Sequence, residues 1–449
     1  MSRASGEGGG DLRRAIGLRH ATAMVVGTII GAAIFVQPSE VTGQVPTMLG
    51  VFAVWLAAGV LTMFGALVCA ELASNYPEAG GVYVYLREAF SPALGFLWGW
   101  AMFWTMHSGI IAAIAVVCAR YLGFLVELSD LGQKSVAVAI IVILSVVNYF
   151  GVKHGSVLQT VITAGKLVAI AAIVVLGFAF GGDAHEAVVS AAATPEPGSF
   201  GVVEFALALG AGLFAFGGWH MVTYNAEETT DPRTTIPRAL VIGTLVVTAC
   251  YVVLNAVYLY VLPMETVASS DRVAADAADA VFGRGGGVAI SVLVIFSSFG
   301  ALSGIVLAGP RVYFAMARDG LLFRWLGQVH ETHRTPHRAI ALQGFWSSVL
   351  VITGSYRELF TRVIYTEWIF FGLMAIGLIL LRRRAEVSRT YEVWGDPWVP
   401  GIFAISAFAV VVNQVISQPV ESLTGLGLVL VGLPVYFIWA RKPIATGST

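Results

Sequence analysis

Long apolar runs separated by short polar connectors repeat along nearly the whole chain. A helix that crosses the hydrocarbon core of a bilayer needs roughly 20 predominantly apolar residues. On that measure the pattern predicts twelve spans, near 18–42, 48–73, 91–122, 135–150, 157–180, 201–226, 238–262, 286–317, 338–354, 359–381, 400–417 and 423–440. The fourth, ninth, eleventh and twelfth are short. Between the second and third, Asn75-Tyr76-Pro77-Glu78-Ala79-Gly80-Gly81 is rich in turn residues, and the apolar Val82 to Leu86 behind it reads as a re-entrant or surface-lying piece. The stretch 181–198 reads as a loop, 263–286 as a loop holding a short surface helix, and 317–338 as the largest basic loop. No separate soluble domain is predicted.

Two spans are poorly built as plain helices. In the first, Gly27-Thr28-Ile29-Ile30-Gly31-Ala32-Ala33 sets small residues around two β-branched ones, and Pro38 follows. In the sixth, Gly217-Gly218 interrupts Phe214-Ala215-Phe216 and Trp219, and paired glycines have low helix propensity. Freed backbone groups in lipid cost several kcal/mol each, so a break survives only where it lines a protein cavity. The alternative is two unrelated small-residue packing faces. The two breaks lie five spans apart, so units of five spans have opposite orientations. Interruptions at matching places in two such halves point to a midplane binding site. The first break offers N–H donors and a positive dipole end to a carboxylate. Its Ile29 carbonyl, with carbonyls near Phe214 and Gly217, suits an ammonium group. Together they suit an α-amino acid zwitterion, with Phe214 either a lid over it or ordinary packing.

Composition narrows the class. Of 449 residues 57% are hydrophobic and only 12% charged, against about 25% charged in soluble domains. The fold class is therefore an all-α polytopic membrane protein. A net charge of −1 argues against a nucleic-acid partner. The three cysteines, Cys69, Cys118 and Cys250, lie in apolar runs without metal or redox spacing. No cleavable signal peptide is apparent. Lys and Arg distribution orients the chain. Segments on the N-terminal side hold most of them, including Arg13, Arg14, Arg19, Arg318, Arg334 and Arg338, whereas the opposite side holds Arg120, Lys134, Arg272, Arg284, Arg357 and Arg362. Both termini are expected in the cytoplasm.

Further motifs are spread along the chain. They are Thr163-Ala164-Gly165-Lys166-Leu167, Glu227-Glu228 with Asp231-Pro232 and Ile236-Pro237-Arg238-Ala239, Arg311-Val312-Tyr313 with Ala315 to Leu321, Thr335-Pro336, and Tyr391 to Pro400. With both breaks they form an ordered set that resembles the amino acid–polyamine–organocation transporter superfamily, in its L-amino-acid-transporter-like branch. The resemblance implies twelve transmembrane helices in a LeuT-type five-plus-five inverted repeat with broken helices 1 and 6, working by alternating access. The units are then a disordered tail (1–17), a first repeat (18–180), a second repeat (201–381), two further helices (400–440) and a short tail (441–449). It also implies substrate contacts at Ile29, Gly31, Ala32, Ala33, Phe214 and Gly217, with Phe214 as the gate. One departure stands out: Ala32-Ala33 replaces the family's usual Ser-Gly, which removes a hydroxyl and adds a methyl where the backbone must approach a ligand.

Buried polar residues add candidates. Lys166 is intramembrane, which is costly and marks function by default. By resemblance it stands where sodium-coupled relatives hold the cation, either as a fixed strut against broken helix 1 or as a proton-coupling group. Ser298 or Ser303 is a candidate neighbour. His107 either lines the substrate pocket or packs inertly, and His220 either tunes specificity or pH response or does not. Glu367 either faces an outer vestibule or pairs with Arg362. Glu227 and Glu228 are expected to pair with Arg238 or Arg318.

The expected function is sodium-independent secondary transport of amino acids, as neutral amino acid exchange or as proton-coupled symport of amino acids or polyamines through Lys166. A non-transporting amino acid sensor is the rival from another class, and its usual long signalling tail is missing. An enzyme is not expected, nor is a cofactor. Eukaryotic relatives join a heavy chain through a cysteine in the loop after helix 3. The stretch 120–135 has none, so no disulfide-linked partner is expected, and a bacterial inner membrane is the expected location.

Overall fold

The computed structural model describes residues 12–191, 200–270, 272–283, 285–354, 356–384 and 391–440, without the side chains of 124, 187, 189–191, 356–364 and 439–440. Most of the predicted tails, residues 192–198 of the predicted loop and the side chain of Arg362 lie outside the described residues, and Gly182–Ala191, read from the sequence as loop, is helical.

Among the described residues the chain is helical, and ten helices are long and apolar enough to cross a membrane. The first predicted span is interrupted as its sequence requires. Helix α1 (Leu18–Ile29) ends where Ile30 turns to extended backbone. A 3-10 turn, Ala33–Phe35, then leads into α2 (Gln37–Gln44), with Pro38 in its first turn. The next helices are α3 (Met48–Asn75), α4 (Val82–Ala89) and α5 (Pro92–Ala101). A π-turn, Met102–Met106, joins α5 to α6 (His107–Leu125). Helix α4 is buried rather than surface-lying: its Tyr83, Val84 and Tyr85 are core residues. Then come α7 (Asp130–Tyr149), α8 (Val152–Phe180) and the short α9 (Gly182–Ala191).

The sixth predicted span is interrupted as well. Helix α10 (Val202–Ala215) stops before Gly217-Gly218, and a tighter 3-10 stretch, Trp219–Glu228, continues it. Helix α11 (Pro232–Val261) is followed by α12 (Met264–Ser269) and α13 (Val273–Phe282), two helices where one short surface helix is expected between 263 and 286. Helix α14 (Gly286–Ala308) runs into α15 (Pro310–Arg318) across Gly309. Helix α16 (His337–Thr353) has 17 residues, which is why it falls just short of a spanning length. The rest are α17 (Tyr356–Arg382), α18 (Trp398–Ser417), α19 (Pro419–Leu430) and α20 (Gly432–Ala440).

Helix α1 packs against α8, α11 and α14. The segment before it is docked rather than loose. The Ala15 and Ile16 amides donate to the Glu228 carbonyl (2.9 and 3.0 Å), and Ile16 bridges Thr229. The start of one interrupted span is thus tied to the end of the other. Glu228 is anchored there by Arg311, whose Nε and Nη2 donate to its two carboxyl oxygens (2.7 and 2.8 Å) with both side chains fully buried. Glu227 pairs with Arg318 as expected, whereas Glu228 takes Arg311 instead of Arg238. Arg311 is fully buried beside it, and a buried carboxylate needs a charged, bidentate partner.

Candidate functional site

The two interruptions face each other. The Tyr251 hydroxyl, from α11, lies 3.1 Å from the Ile29 carbonyl and 2.9 Å from the Ala215 carbonyl. Thr28 Oγ1 lies 3.4 Å from the Gly218 carbonyl and also donates to the Met24 carbonyl in its own helix. Gly218 is left-handed (φ +97°), and a Cβ there would meet Thr28 at 3.4 Å. It is therefore Gly218, rather than Gly217, that needs to be glycine for its backbone angle.

At the first break the Ile30 amide still closes the helix onto Val26, but the N–H groups of Gly31, Ala32 and Ala33 find no backbone acceptor among the described residues. They are the free donors that an anion site at a helix break requires. Lys166 holds the carbonyl side. Its Nζ donates to the Gly27 carbonyl (2.9 Å) and the Ile30 carbonyl (2.6 Å), and the side chain is buried. Thr163 Oγ1, one turn earlier on the same face of α8, donates to the Ala23 carbonyl. Ser297 Oγ adds a donor to Ile30 (3.3 Å) and, at 3.5 Å, to Gly31. The expected serines were Ser298 and Ser303, whose hydroxyls have no partner among the described residues. One residue is about 100° of helix, so a neighbour in sequence points elsewhere.

The remaining candidates differ in exposure. Phe214 and Gly217 are exposed, Ala32 and Ala33 half-buried, and Ile29 and Gly31 buried. His220 is buried, ringed by Trp98, Trp219, Tyr224 and Phe371 at 4.8 to 6.0 Å between centroids, and neither ring nitrogen has a partner among the described residues. His107 is fully buried against α14, with Nε2 2.9 Å from the Ile305 carbonyl. Glu367 does not open to an outer vestibule: it is only 8% exposed. The residue that sequence reasoning missed is Tyr251. Nothing local singles it out, because the same span also carries Tyr258 and Tyr260, and each polar tip in the membrane needs a partner.

Comparison with known proteins follows this geometry. The amino acid permease family model matches residues 16–438. The chain is similar to the serine/threonine exchanger SteT of Bacillus subtilis, at 34% identity over 95% of this chain and 97% of that protein. It is also similar to the human b(0,+)-type amino acid transporter 1, at 31% identity over 96% of this chain and 90% of that protein. The human cystine/glutamate transporter matches at 29% identity over 96% of this chain and 87% of that protein.

Proposed function

Because this chain belongs to the amino acid permease family of membrane transporters, we propose that it exchanges neutral α-amino acids across a membrane, independently of sodium, by alternating access. One observation carries the reading: among the described residues, three backbone donors at Gly31, Ala32 and Ala33 have no partner, beside a second interrupted helix. They take the substrate carboxylate, while carbonyls of Ile29, Phe214 and Gly217 take its ammonium group once Tyr251 yields Ile29. Phe214 is the gate above them. Twelve membrane crossings in a five-plus-five inverted repeat follow if the split first span and the 17-residue α16 cross with the ten longer helices. Both termini are then cytoplasmic, in a bacterial inner membrane, with no disulfide-linked heavy chain.

Lys166 supports exchange as a strut, since its ammonium bonds carbonyls of α1 where a sodium ion would otherwise do so. A second reading, proton-coupled uptake, rests on the same buried amine. Purified protein in sodium-free liposomes separates the two. Labelled alanine is expected to enter only liposomes preloaded with amino acid. Accumulation in empty liposomes driven by an inward proton gradient would replace exchange with symport. The absence of uptake in every arm would remove the amino acid reading and turn attention to amines.

A further inference from the structure

We infer that Glu367, Tyr224, His220 and His107 form a polar subsite beneath the two breaks that receives the substrate side chain and favours side chains able to donate a hydrogen bond. The inference rests on the amino acid reading above and names the substrate class within it.

Four buried side chains from three elements leave polar atoms without a partner among the described residues: Glu367 Oε1, the Tyr224 hydroxyl, both His220 nitrogens and His107 Nδ1. All four residues are at least nine-tenths buried. Each unpaired buried polar atom costs about 1–3 kcal/mol, and such atoms are rare in native folds unless water, an ion or a ligand completes them. Several together are hard to reconcile with plain packing. They also belong to one place. His220 follows directly on Gly218 and Trp219, and its ring lies 5.5 Å from Tyr224. Phe371, one turn beyond Glu367 on α17, packs edge-on against His220 at 4.8 Å. Thr366 Oγ1 lies 3.6 Å from Met106 Sδ, so α17 meets the start of α6 at this level. His107 rests on Ile305 of α14, the residue after Gly304, where a Cβ would meet Thr28 at 2.5 Å. The cluster therefore adjoins the floor of the first break.

The chemistry selects the occupant. A carboxyl oxygen with no donor is best completed by a hydroxyl or amide N–H. An aliphatic side chain would leave it unpaired. Sites built to hydrogen-bond a substrate group discriminate strongly against the analogue lacking it, whereas apolar pockets barely reject an added hydroxyl.

Threonine and valine are nearly isosteric and differ by that donor. The test measures how much of each halves exchange of labelled alanine in preloaded proteoliposomes. The wild type is expected to need at least about tenfold less threonine than valine. Glu367→Gln, which keeps a carbonyl acceptor, should retain most of that ratio, and Glu367→Leu should bring it close to one. Equal potency of the two amino acids in the wild type overturns the inference without needing any variant, as does an undiminished ratio in Glu367→Leu. Failure of the wild type to exchange alanine or either competitor instead refutes the amino acid reading on which the inference rests.

Discussion

Lys166→Met is expected to lower exchange about 30- to 100-fold while leaving the protein inserted and monodisperse. Methionine keeps the apolar length of the side chain and removes only Nζ. The Gly27 carbonyl then loses the side-chain donor it has at the break, while the Ile30 carbonyl keeps Ser297 at 3.3 Å. Leaving a buried acceptor unpaired costs about 1–3 kcal/mol, and each 1.4 kcal/mol is about tenfold in an equilibrium. That energy acts on the shape of the break, and so on how often Gly31, Ala32 and Ala33 present their amides together. Exchange assayed beside a size-exclusion profile separates this from misfolding. Wild-type rates in Lys166→Met would mean that the strut is dispensable.

Gly218→Val should stop exchange, and Gly217→Ala should be mild. At Gly218 the backbone is left-handed, and a β-branched residue there is strained whatever the space around it. The left-handed conformation costs an L-residue about 1–2 kcal/mol before any branching. Relief would rotate Gly218 away from Thr28 and pull the two breaks apart. At Gly217 a Cβ meets only the Phe214 carbonyl at 3.2 Å. Gly218→Asn should fall between, because asparagine tolerates this backbone better than other residues with a side chain. The order wild type, Gly217→Ala, Gly218→Asn, Gly218→Val is read directly from initial exchange rates. A Gly217→Ala loss exceeding that of Gly218→Val would place the critical glycine one residue earlier.

Much of this architecture was legible because its signals are local. The first break announces itself through glycines around β-branched residues with a proline beyond, and lipid forbids an unpaired backbone elsewhere. The short helices at 264–282 were legible from their composition. What escaped needs three dimensions. The sequence Gly217-Gly218 does not say which glycine turns left-handed. Ser297, Ser298 and Ser303 are alike in a string, and only the rotation of α14 aims the first at Ile30. Tyr251 and Ile29 are 222 residues apart, so the tie between the halves leaves no local trace. Glu367, near the start of a span, reads from the sequence as a vestibule residue or a partner of Arg362, and only the packing of α17 shows that it is buried.

The most direct measurement of the central claim asks whether both ends of the zwitterion are read. Exchange of labelled serine in preloaded liposomes is challenged with unlabelled serine, with ethanolamine, which lacks the carboxylate, and with 3-hydroxypropionate, which lacks the amine. Held between the amides at 31–33 and the carbonyls of the second break, only serine should compete, and neither truncated molecule should do so even at a hundredfold higher concentration, given that each lost charged contact costs about 1.5–3 kcal/mol. Ethanolamine competing as well as serine would contradict the account, because the amides of the first break would then have no carboxylate to hold.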